Sequence, residues 1–378
     1  MKRLISVLLI LALCAAPVLA APEVGAPSAV LMEASTGKIL YEKDAHARLR
    51  PASVTKIMTL LLVMEALDSG AMAWDDVVTA SADATKKGGS QVYLREGEQM
   101  TVEEMVKSVV VASANDCAAA LAEKVAGSEE AFVEKMNARA AELGMADTHF
   151  VNCTGLDDAP EAADHLTSAA DIAVMSRELL KHDGIRKYTT IWMDTVRDGQ
   201  FGLTNTNKLV RFYEGTTGLK TGYTSAAGYC VSATARRDGM ELIAVILHSP
   251  SSAQRFQDAK ALLNYGFAEY ALVHPEPETP LPRVPVILGT SDSVAVKLGE
   301  DGAVLLEKSL QSSVTVETEL EESVEAPVTE GQRLGTLTVR AGDAAVTEIP
   351  LVAAHDVPRL TWWQVTVQIL RGLCMAGL

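Results

Sequence analysis

The sequence predicts an α/β protein of the α+β kind: an antiparallel sheet flanked by helices, then a small all-β domain and an amphipathic C-terminal helix. Three observations lead to this prediction. Strand patterns lie at both ends of residues 22–273, with helical patterns between them. A proline-rich stretch then leads into a series of short strand patterns. Finally, the chain ends in a segment that is apolar almost throughout.

Residues 1–21 have the features of a secretory signal peptide. Lys2 and Arg3 precede the apolar run 4–13, and the small residues near Ala20 suit a cleavage site. The apolar run is short for an uncleaved membrane anchor, which is the alternative interpretation. We therefore expect an exported protein whose fold begins after residue 21.

Composition narrows the class of protein. The chain has 378 residues, 48% of them hydrophobic and 22% charged, which is typical of a globular protein with two domains. Its formal charge of −16, without a basic cluster, argues against a nucleic-acid partner. Histidines and cysteines show no metal-binding spacing, so no metal is expected. After cleavage the remaining cysteines could form disulfides or stay as buried thiols, and the sequence favours neither. They are Cys117, Cys153, Cys230 and Cys374.

The first half of the predicted N-terminal domain combines a hairpin with helices. Ala29–Met32 and Lys38–Tyr41 predict a β-hairpin that turns at Gly37. Apolar residues at three- and four-residue spacing predict a helix with one buried face that starts near Ser53. Further helices are predicted at Val102–Val111, Cys117–Ala126, Glu130–Leu143 and Ala169–Leu180.

Strand patterns return late in this domain. They lie at Leu219–Thr221, Gly228–Arg236 and Leu242–Leu247, and Asp238-Gly239 marks a hairpin turn. A helix at Ser252–Phe267 closes the segment. Because strands come from both ends of the segment, we expect them to share one sheet against which the helices pack.

Beyond a proline-rich linker at 274–282, short strand patterns predict a small β domain over 274–356. No catalytic cluster is visible there, and we expect a spacer or an interaction module. The predicted strands are Val284–Leu288, Ser293–Leu298, Ala303–Leu306, Val314–Thr318, Arg333–Val339 and Val346–Val352.

Residues 357–378 predict a helix that lies in a membrane interface. Trp362 and Trp363 suit the headgroup level, and a narrow polar stripe runs along an otherwise apolar helix. Arg371 interrupts the apolar run, which is short for a membrane span. The alternative is a helix docked on the protein's own surface.

Three short motifs indicate chemistry. Ser53 and Lys56 are three apart, so a helix would hold a hydroxyl beside an amine. A serine nucleophile needs a base, and lysine can be one only when burial or a nearby cation keeps it neutral. This pair alone arises by chance, but Ser113-Ala114-Asn115 and Lys220-Thr221-Gly222 follow it. The set in this order is typical of class A β-lactamases and penicillin-binding proteins.

On these motifs and their flanks, the chain resembles the low-molecular-mass penicillin-binding proteins, the serine-type D-alanyl-D-alanine carboxypeptidases of cell-wall metabolism. The flanks include residues 52–59, 218–224 and 227–229. The resemblance implies a transpeptidase/β-lactamase-like domain and no cofactor. It also implies a peripheral place on the extracytoplasmic face of the cell membrane. Ala114 stands where relatives often have Gly, and Tyr223 where a His is common.

The resemblance also implies roles for these residues. Ser53 would attack the peptide bond between the two D-alanines of a peptidoglycan stem pentapeptide, with Lys56 as base. β-Lactams would be covalent inhibitors. We expect repulsion between the amines of Lys56 and Lys220 to keep one of them neutral.

The remaining motif residues would serve the substrate. Ser113 would relay a proton to the leaving amine, and Asn115 would bind the substrate backbone and orient Lys56. Lys220 and Thr221 would bind the terminal carboxylate, while Gly222 would leave room for the substrate. The backbone N–H groups of Ser53 and Tyr223 would form the oxyanion hole.

Two other functions fit parts of the sequence. A class A β-lactamase would need a glutamate after the second motif, and Glu161 lacks the surrounding pattern expected of it. A non-catalytic peptidoglycan-binding surface protein would not need all the polar groups of the three motifs. Endopeptidase activity on cross-bridges is a close variant that stays open.

Overall fold

The computed structural model describes residues 21–275, 277, 281–299 and 302–367. The described chain divides into two compact units, one ending at Ala268 and the other beginning at Glu269. Residues 1–20 of the predicted signal peptide, part of the linker including Pro280, and residues 368–378 of the predicted terminal helix lie outside the described residues. Each unit is considered by itself below.

A five-stranded antiparallel sheet forms the centre of the first unit. Its strand order is β2-β1-β5-β4-β3, so the strands do come from both ends of the segment, as predicted. Strand β3, which contains the third motif, lies at one edge. The strands are β1 (Ser28–Glu33), β2 (Ile39–Lys43), β3 (Thr216–Thr224), β4 (Gly228–Arg237) and β5 (Met240–Ser249).

The predicted turns of this sheet are confirmed. Gly37 has a φ of +72° at the β1–β2 turn. Asp238 and Gly239 have φ values of +48° and +80° between β4 and β5, which matches the hairpin turn that favours Asp-Gly.

Six longer helices accompany the sheet, close to the predicted bounds. They are α1 (Lys56–Asp68), α2 (Val102–Val111), α3 (Asn115–Ala126), α4 (Glu129–Glu142), α5 (Ala169–Leu180) and α6 (Ser252–Glu269). Short helical turns lie at Ala52–Thr55, Ala82–Thr85, Pro160–Asp164, Asp183–Ile185, Arg186–Thr189 and Leu209–Phe212.

The prediction of a single buried face on α1 is wrong. Residues 56–64 are all buried, because α1 packs against α3, α5 and the edge strand β3. A helix that is covered all round lies inside the unit rather than on its surface. This position carries Lys56, at the first residue of α1, into the interior.

Two short strand pairs were not predicted within the helical middle and the segment after it. Val77–Thr79 pairs with Gln99–Thr101, and Met193–Val196 pairs with Phe201–Thr204. Strands of three or four residues are too short to develop the alternating pattern that identifies a strand.

The second unit is built from short strands, which confirms the predicted all-β domain. Tyr270–Val273 and Val324–Glu325 were not predicted, and the former pairs with Val304–Glu307. Leu337 and Leu351 belong to its buried core. The other strands are Val284–Ile287, Ser293–Val294, Val296–Leu298, Val314–Leu320, Arg333–Ala341 and Ala344–Ala353, and a helical turn covers Lys308–Ser313.

The described end of the chain is helical over residues 362–367. Trp362 is 90% exposed and Trp363 is 75% exposed. Across the ranges that the structure describes, none of the helices combines the length and the hydropathy needed to cross a bilayer.

Candidate active site

The Ser53 hydroxyl lies on a tight turn at the entrance to α1. Ala52–Thr55 form a 3₁₀ turn, and the regular helix begins at Lys56, so the predicted helix start is right to within a few residues. Ala52 has a φ of +49°, in the left-handed region that non-glycine residues rarely adopt. Ser53 is partly exposed although its neighbours in the turn are buried. The turn therefore leaves the Ser53 hydroxyl partly exposed while the residues around it are buried.

The Lys56 amine lies beside that hydroxyl. Its Nζ atom is 2.9 Å from Ser53 Oγ and donates a hydrogen bond to the carbonyl oxygen of Thr154 at 2.8 Å. The side chain is fully buried. Burial lowers the pKa of Lys56 to about 7, although Cys153 and Asp116 act in the opposite direction. At neutral pH a large fraction of this amine is therefore unprotonated and able to accept a proton.

Lys220, from the third motif, is a second buried lysine, and it contacts the second motif. Lys220 Nζ donates to Ser113 Oγ at 2.8 Å and to the carbonyl oxygen of Thr221 at 3.0 Å. Ser113 is buried and has a φ of +63°. Burial holds the pKa of Lys220 well below that of a free lysine, and the positive charges of Lys56 and Arg255 lower it further.

The expected origin of the neutral base needs a correction. Burial, rather than repulsion by Lys220, is the main cause of the lowered pKa of Lys56. Repulsion between the two amines acts on Lys220, where it comes second to burial. The charge of Lys56 does act on Lys220, but burial around α1 is what favours the neutral form of the Lys56 amine.

Among the described contacts, Asn115 does not hydrogen-bond to Lys56, which it was expected to orient. Its Nδ2 donates to the carbonyl oxygen of Gly88 at 2.6 Å, and its backbone N–H donates to Ser90 at 2.7 Å. Its Oδ1 is buried and has no hydrogen-bond partner among the described residues, which leaves an acceptor for a bound ligand. Within the described chain, the acceptors of Lys56 are Ser53 and Thr154, so Thr154 rather than Asn115 orients the amine.

Edge strand β3 packs directly against the Ser53 turn. A Cβ atom on Gly222 would lie 2.6 Å from the carbonyl oxygen of Pro51 and 3.0 Å from the Ser53 nitrogen. No larger residue fits this approach without displacing backbone. Thr221, on the same strand, is buried and donates to Thr206 Oγ1 at 2.7 Å.

The peptide unit after Gly222 has a defined direction. Arg255 Nη1 donates to the carbonyl oxygen of Gly222 at 2.9 Å and to that of Cys230 at 3.1 Å. The N–H and C=O groups of a trans peptide point in opposite directions. The Tyr223 N–H therefore points to the side opposite the Gly222 carbonyl oxygen.

The side chain of Tyr223 lies on the surface next to this edge. It is 54% exposed and stacks on Tyr229 with the ring centroids 4.3 Å apart. The guanidinium of Arg255 lies 5.4 Å from the Tyr229 ring centroid. The tyrosine that stands where a histidine is common thus packs on its neighbour at the surface.

The loop of residues 152–155 supports the site through its backbone, and motif reasoning assigned it no role. Asn152 Oδ1 accepts from the backbone N–H groups of Thr154 at 3.1 Å and Gly155 at 2.7 Å. A Cβ atom on Gly155 would lie 1.8 Å from the carbonyl oxygen of Ala52. The positive φ of Gly155, +81°, is a second reason for glycine here. The loop is thereby pressed against the Ser53 turn, with the Thr154 carbonyl aimed at Lys56.

His165 links this region to the Ser53 turn. Its Nδ1 accepts from the backbone N–H of Val151 at 3.1 Å, so the ring proton sits on Nε2. Nε2 lies 2.8 Å from Thr55 Oγ1, which in turn donates to the carbonyl oxygen of Ala52 at 2.8 Å. Burial lowers the pKa of His165 to about 4. The prediction that histidines are surface or hydrogen-bonded residues holds for His165, which is buried and hydrogen-bonded.

The described cysteines are thiols rather than disulfides, and no metal site is seen among the described side chains. Cys117, Cys153 and Cys230 are free and buried. The part of the chain that the structure describes contains no group of three or more side chains suited to hold a metal ion.

Comparison with known proteins gives consistent matches. The family described as "D-alanyl-D-alanine carboxypeptidase" matches residues 16–251, and "Penicillin-binding protein 5, C-terminal domain" matches residues 277–359. The D-alanyl-D-alanine carboxypeptidase DacF of Bacillus subtilis is 40% identical over 376 residues, which cover 95% of each chain.

Solved structures agree with these matches. Penicillin-binding protein 5 from Haemophilus influenzae has a TM-score of 0.77 at 29% identity, and the match covers 89% of this chain and 99% of that chain. Penicillin-binding protein D2 from Listeria monocytogenes, in its ampicillin-bound form, has a TM-score of 0.59 at 30% identity. That match covers 65% of this chain and 98% of that chain.

His165 generates a prediction about stability and pH. Its pKa of about 4 in the folded protein lies below the value near 6.5 of an unfolded histidine. Because the folded state resists protonation of His165, the contribution of this residue to the free energy of unfolding is fully present above pH 6.5. The free energy of unfolding should fall by about 3 kcal/mol as the pH drops toward 4. His165→Gln should lose this component of the pH dependence. Hydrogen exchange of buried α1 amides between pH 4 and 7 measures it.

The exposed histidine His355 offers the control. His355→Gln should leave the pH dependence of α1 exchange as it is in the parent. A parent and a His165→Gln variant with the same slope between pH 4 and 6.5 would contradict the assignment of His165 as a buried neutral base.

Proposed function

Because the chain belongs to the family of the serine-type D-alanyl-D-alanine carboxypeptidases, we propose that Ser53 is the nucleophile with which it removes the terminal D-alanine from peptidoglycan stem pentapeptides. One observation carries this assignment. A buried lysine amine with a pKa of about 7 lies 2.9 Å from the Ser53 hydroxyl. A base within hydrogen-bond reach is what a serine nucleophile requires.

Acylation begins with a proton transfer. The neutral Lys56 amine takes the proton of Ser53 Oγ as the oxygen attacks the carbonyl carbon between the two D-alanines. The negative charge that develops on the carbonyl oxygen is stabilised by the backbone N–H groups of Ser53 and Tyr223. The packing of Gly222 against the Ser53 turn supports the convergence of these two donors.

The leaving group then needs a proton. Lys220 Nζ lies 2.8 Å from Ser113 Oγ, which suits a relay from the Lys220 ammonium through the Ser113 hydroxyl to the departing nitrogen. The C–N bond breaks, D-alanine leaves with a neutral amine, and the shortened peptide stays on Ser53 as an ester. The buried, unpartnered Oδ1 of Asn115 is suited to accept a hydrogen bond from the backbone of the acyl chain.

Deacylation reverses the order of proton transfers. Lys56 first gives the proton that it took from Ser53 to solvent, and Lys220 regains from solvent the proton that it gave to the departing amine. A water molecule then gives a proton to the neutral Lys56 and attacks the ester carbonyl. The tetrahedral intermediate collapses, the bond to Ser53 Oγ breaks, and the serine takes a proton back from Lys56. The same base thus serves both halves of the reaction, since both attacks occur at the same carbonyl carbon.

Recognition of the terminal carboxylate is assigned to the region of Lys220 and Thr221. The guanidinium of Arg255, and the ammonium form of Lys220 that a bound carboxylate would favour, contrast with the formal charge of −16 on the chain. β-Lactams mimic the acylating end of the substrate, and we propose that they acylate Ser53. The ampicillin-bound form of the Listeria monocytogenes relative supports this proposal.

The decisive test uses Ser53→Ala. We expect the parent to release D-alanine from a stem pentapeptide and to be labelled covalently by a fluorescent penicillin at Ser53. The variant should lose both, with kcat lower by roughly 10⁴-fold or more. Mass spectrometry of the parent after penicillin treatment locates the modified residue.

The outcomes of this test separate the competing functions. Fast turnover of a chromogenic β-lactam without D-alanine release would indicate a β-lactamase. Labelling of neither protein would indicate a non-catalytic peptidoglycan-binding protein. Glu161, which a β-lactamase would need near the acyl-enzyme, is exposed in the Pro160–Asp164 turn, and Glu161→Gln serves as the folded control.

The lowered pKa of Lys56 generates a second prediction. Only the neutral amine accepts the serine proton, so kcat/KM should rise about tenfold per pH unit below the pKa and level off above it. The midpoint should lie near pH 7, as set by the Lys56 pKa of about 7. The measurement is the rate of β-lactam acylation between pH 5 and 9, and a flat profile through pH 7 would contradict the assignment.

We further propose that the chain is exported and held on the extracytoplasmic face of the cell membrane. The basic and apolar character of residues 1–21 supports export. The exposure of Trp362 and Trp363 supports a helix that lies in the membrane interface, since exposed tryptophans at a chain end favour the headgroup region.

Vesicle binding tests the anchor. A chain shortened to residue 357, and separately the Trp362→Ser/Trp363→Ser variant, should be depleted from pelleted phosphatidylglycerol–phosphatidylcholine vesicles. The parent should sediment with them because its apolar helix is buried in the interface. D-Alanine release from a short soluble peptide should be unchanged in both variants. Equal sedimentation of all three proteins would refute a C-terminal anchor.

A further inference from the structure

We infer that Glu129 is a positioning residue for this reaction, because its carboxylate joins the two loops that hold Asn115 and Lys56. The inference rests on the proposed function and deepens it. Glu129 is the first residue of α4, outside the three motifs, and it contacts none of the proposed reacting atoms in the described structure. Its two oxygens bond to different loops.

The first oxygen holds the loop that contacts Asn115. Glu129 Oε2 accepts a hydrogen bond from Lys87 Nζ, in an ion pair whose side chains are only 18% and 26% exposed, respectively. The next residue, Gly88, accepts from Asn115 Nδ2 at 2.6 Å. The ion pair thus fixes one end of the loop whose carbonyl oxygen determines where the amide of Asn115 points.

The second oxygen holds the loop that contacts Lys56. Glu129 Oε1 accepts from the backbone N–H of Cys153 and from its Sγ, both at 3.2 Å. The Cys153 carbonyl in turn accepts from Thr59 Oγ1 at 2.6 Å. The next residue, Thr154, presents the carbonyl oxygen that accepts from Lys56 Nζ at 2.8 Å. A single carboxylate therefore supports both loops. In each loop, the residue that bonds to Glu129 directly precedes the residue whose carbonyl oxygen contacts Asn115 or Lys56.

Glu129 is charged at neutral pH. Burial alone would raise the pKa of its carboxyl, but the hydrogen bonds and charge of Lys87, together with Cys153, outweigh burial and lower the pKa. Removing either member leaves the other charge partly buried without its partner. The loops would then relax, and water would reach Lys56.

The test compares Glu129→Ala, Glu129→Gln and the neighbouring Glu130→Ala. Glu130 follows on the same helical turn but is exposed. We expect Glu129→Ala to lower kcat/KM for β-lactam acylation by about 100-fold, the effect of a displacement of about 1 Å. Glu129→Gln keeps an acceptor for Cys153 and should recover part of the rate. Glu130→Ala should match the parent.

The pH profile distinguishes positioning from a loss of folded protein. Water around Lys56 would raise its pKa, so the acid limb of the Glu129→Ala profile should move to higher pH. Of the charged or titratable groups that act on Lys56 or respond to its charge, Asp116 and Lys220 are retained without change, whereas Cys153 loses its bonds to Glu129 in the variant. A variant that is only less stable would contain less active protein, and active-site titration corrects for that loss. The acid limb of its pH–rate profile would lie at the same pH as in the parent.

Coupling through Lys87 gives a second measurement. Lys87→Met and Glu129→Gln should each slow acylation, and the double variant should be no slower than the worse single one, because both remove one ion pair. If the parent is labelled on Ser53 and Glu129→Ala has the same acylation rate and the same pH profile as the parent, the role of Glu129 is refuted while the proposed function stands. A parent that does not label would overturn the proposed function.

Discussion

The burial of the Lys56 amine is the constraint on which the rest of the site depends. An ammonium group loses most of its hydration when α1 is covered on every side, and the resulting preference for the neutral form creates a base. A surface lysine at the same spacing from a serine would stay protonated and inert. The helix that contains Lys56 therefore has to be central, which explains why the unit wraps α3, α5 and the edge strand around it.

The architecture makes this burial compatible with access for a substrate. The Ser53 turn ends at the free edge of the sheet, because strand β3 is the last in the order and packs on the turn through Gly222. An edge strand has unpaired backbone groups along one side, and an extended peptide can bind there as an additional strand. The Lys56 amine is thus inside the unit, while Ser53 is partly exposed.

The sequence predicted the side chains of this site better than its backbone. The three motifs identify Ser53 and Lys220 because chemistry restricts the residue type at each position. The carbonyl oxygen of Thr154 could not be found this way, since every residue carries a carbonyl and only the fold aims one at Lys56. His165 and Arg255 escaped for a related reason. Each acts through a hydrogen bond to distant backbone, at Val151 and Gly222, and leaves no spacing pattern.

The fold, too, could be predicted from the sequence only in part. Strands β4 and β5 and the longer helices have sequence patterns long enough to identify them. Strand β3 was predicted only at Leu219–Thr221, and the pairing of Val77–Thr79 with Gln99–Thr101 is too short to show a pattern. The pattern along α1 indicated a helix but not how much of it is covered, because Lys56 and Thr59 interrupt its apolar residues. Their burial depends on partners that are distant in sequence, such as Thr154 and Cys153.

The cluster of buried cations links recognition to chemistry. Lys220 disfavours its ammonium form because it is buried near the charges of Lys56 and Arg255. A carboxylate bound beside it would compensate for these charges and favour the ammonium, as an opposite charge at close range does. The form of Lys220 that can pass a proton to Ser113 is then the form that the substrate itself stabilises. A peptide that ends in a free carboxylate would thereby promote the departure of its own last residue, which is the specificity expected of a carboxypeptidase.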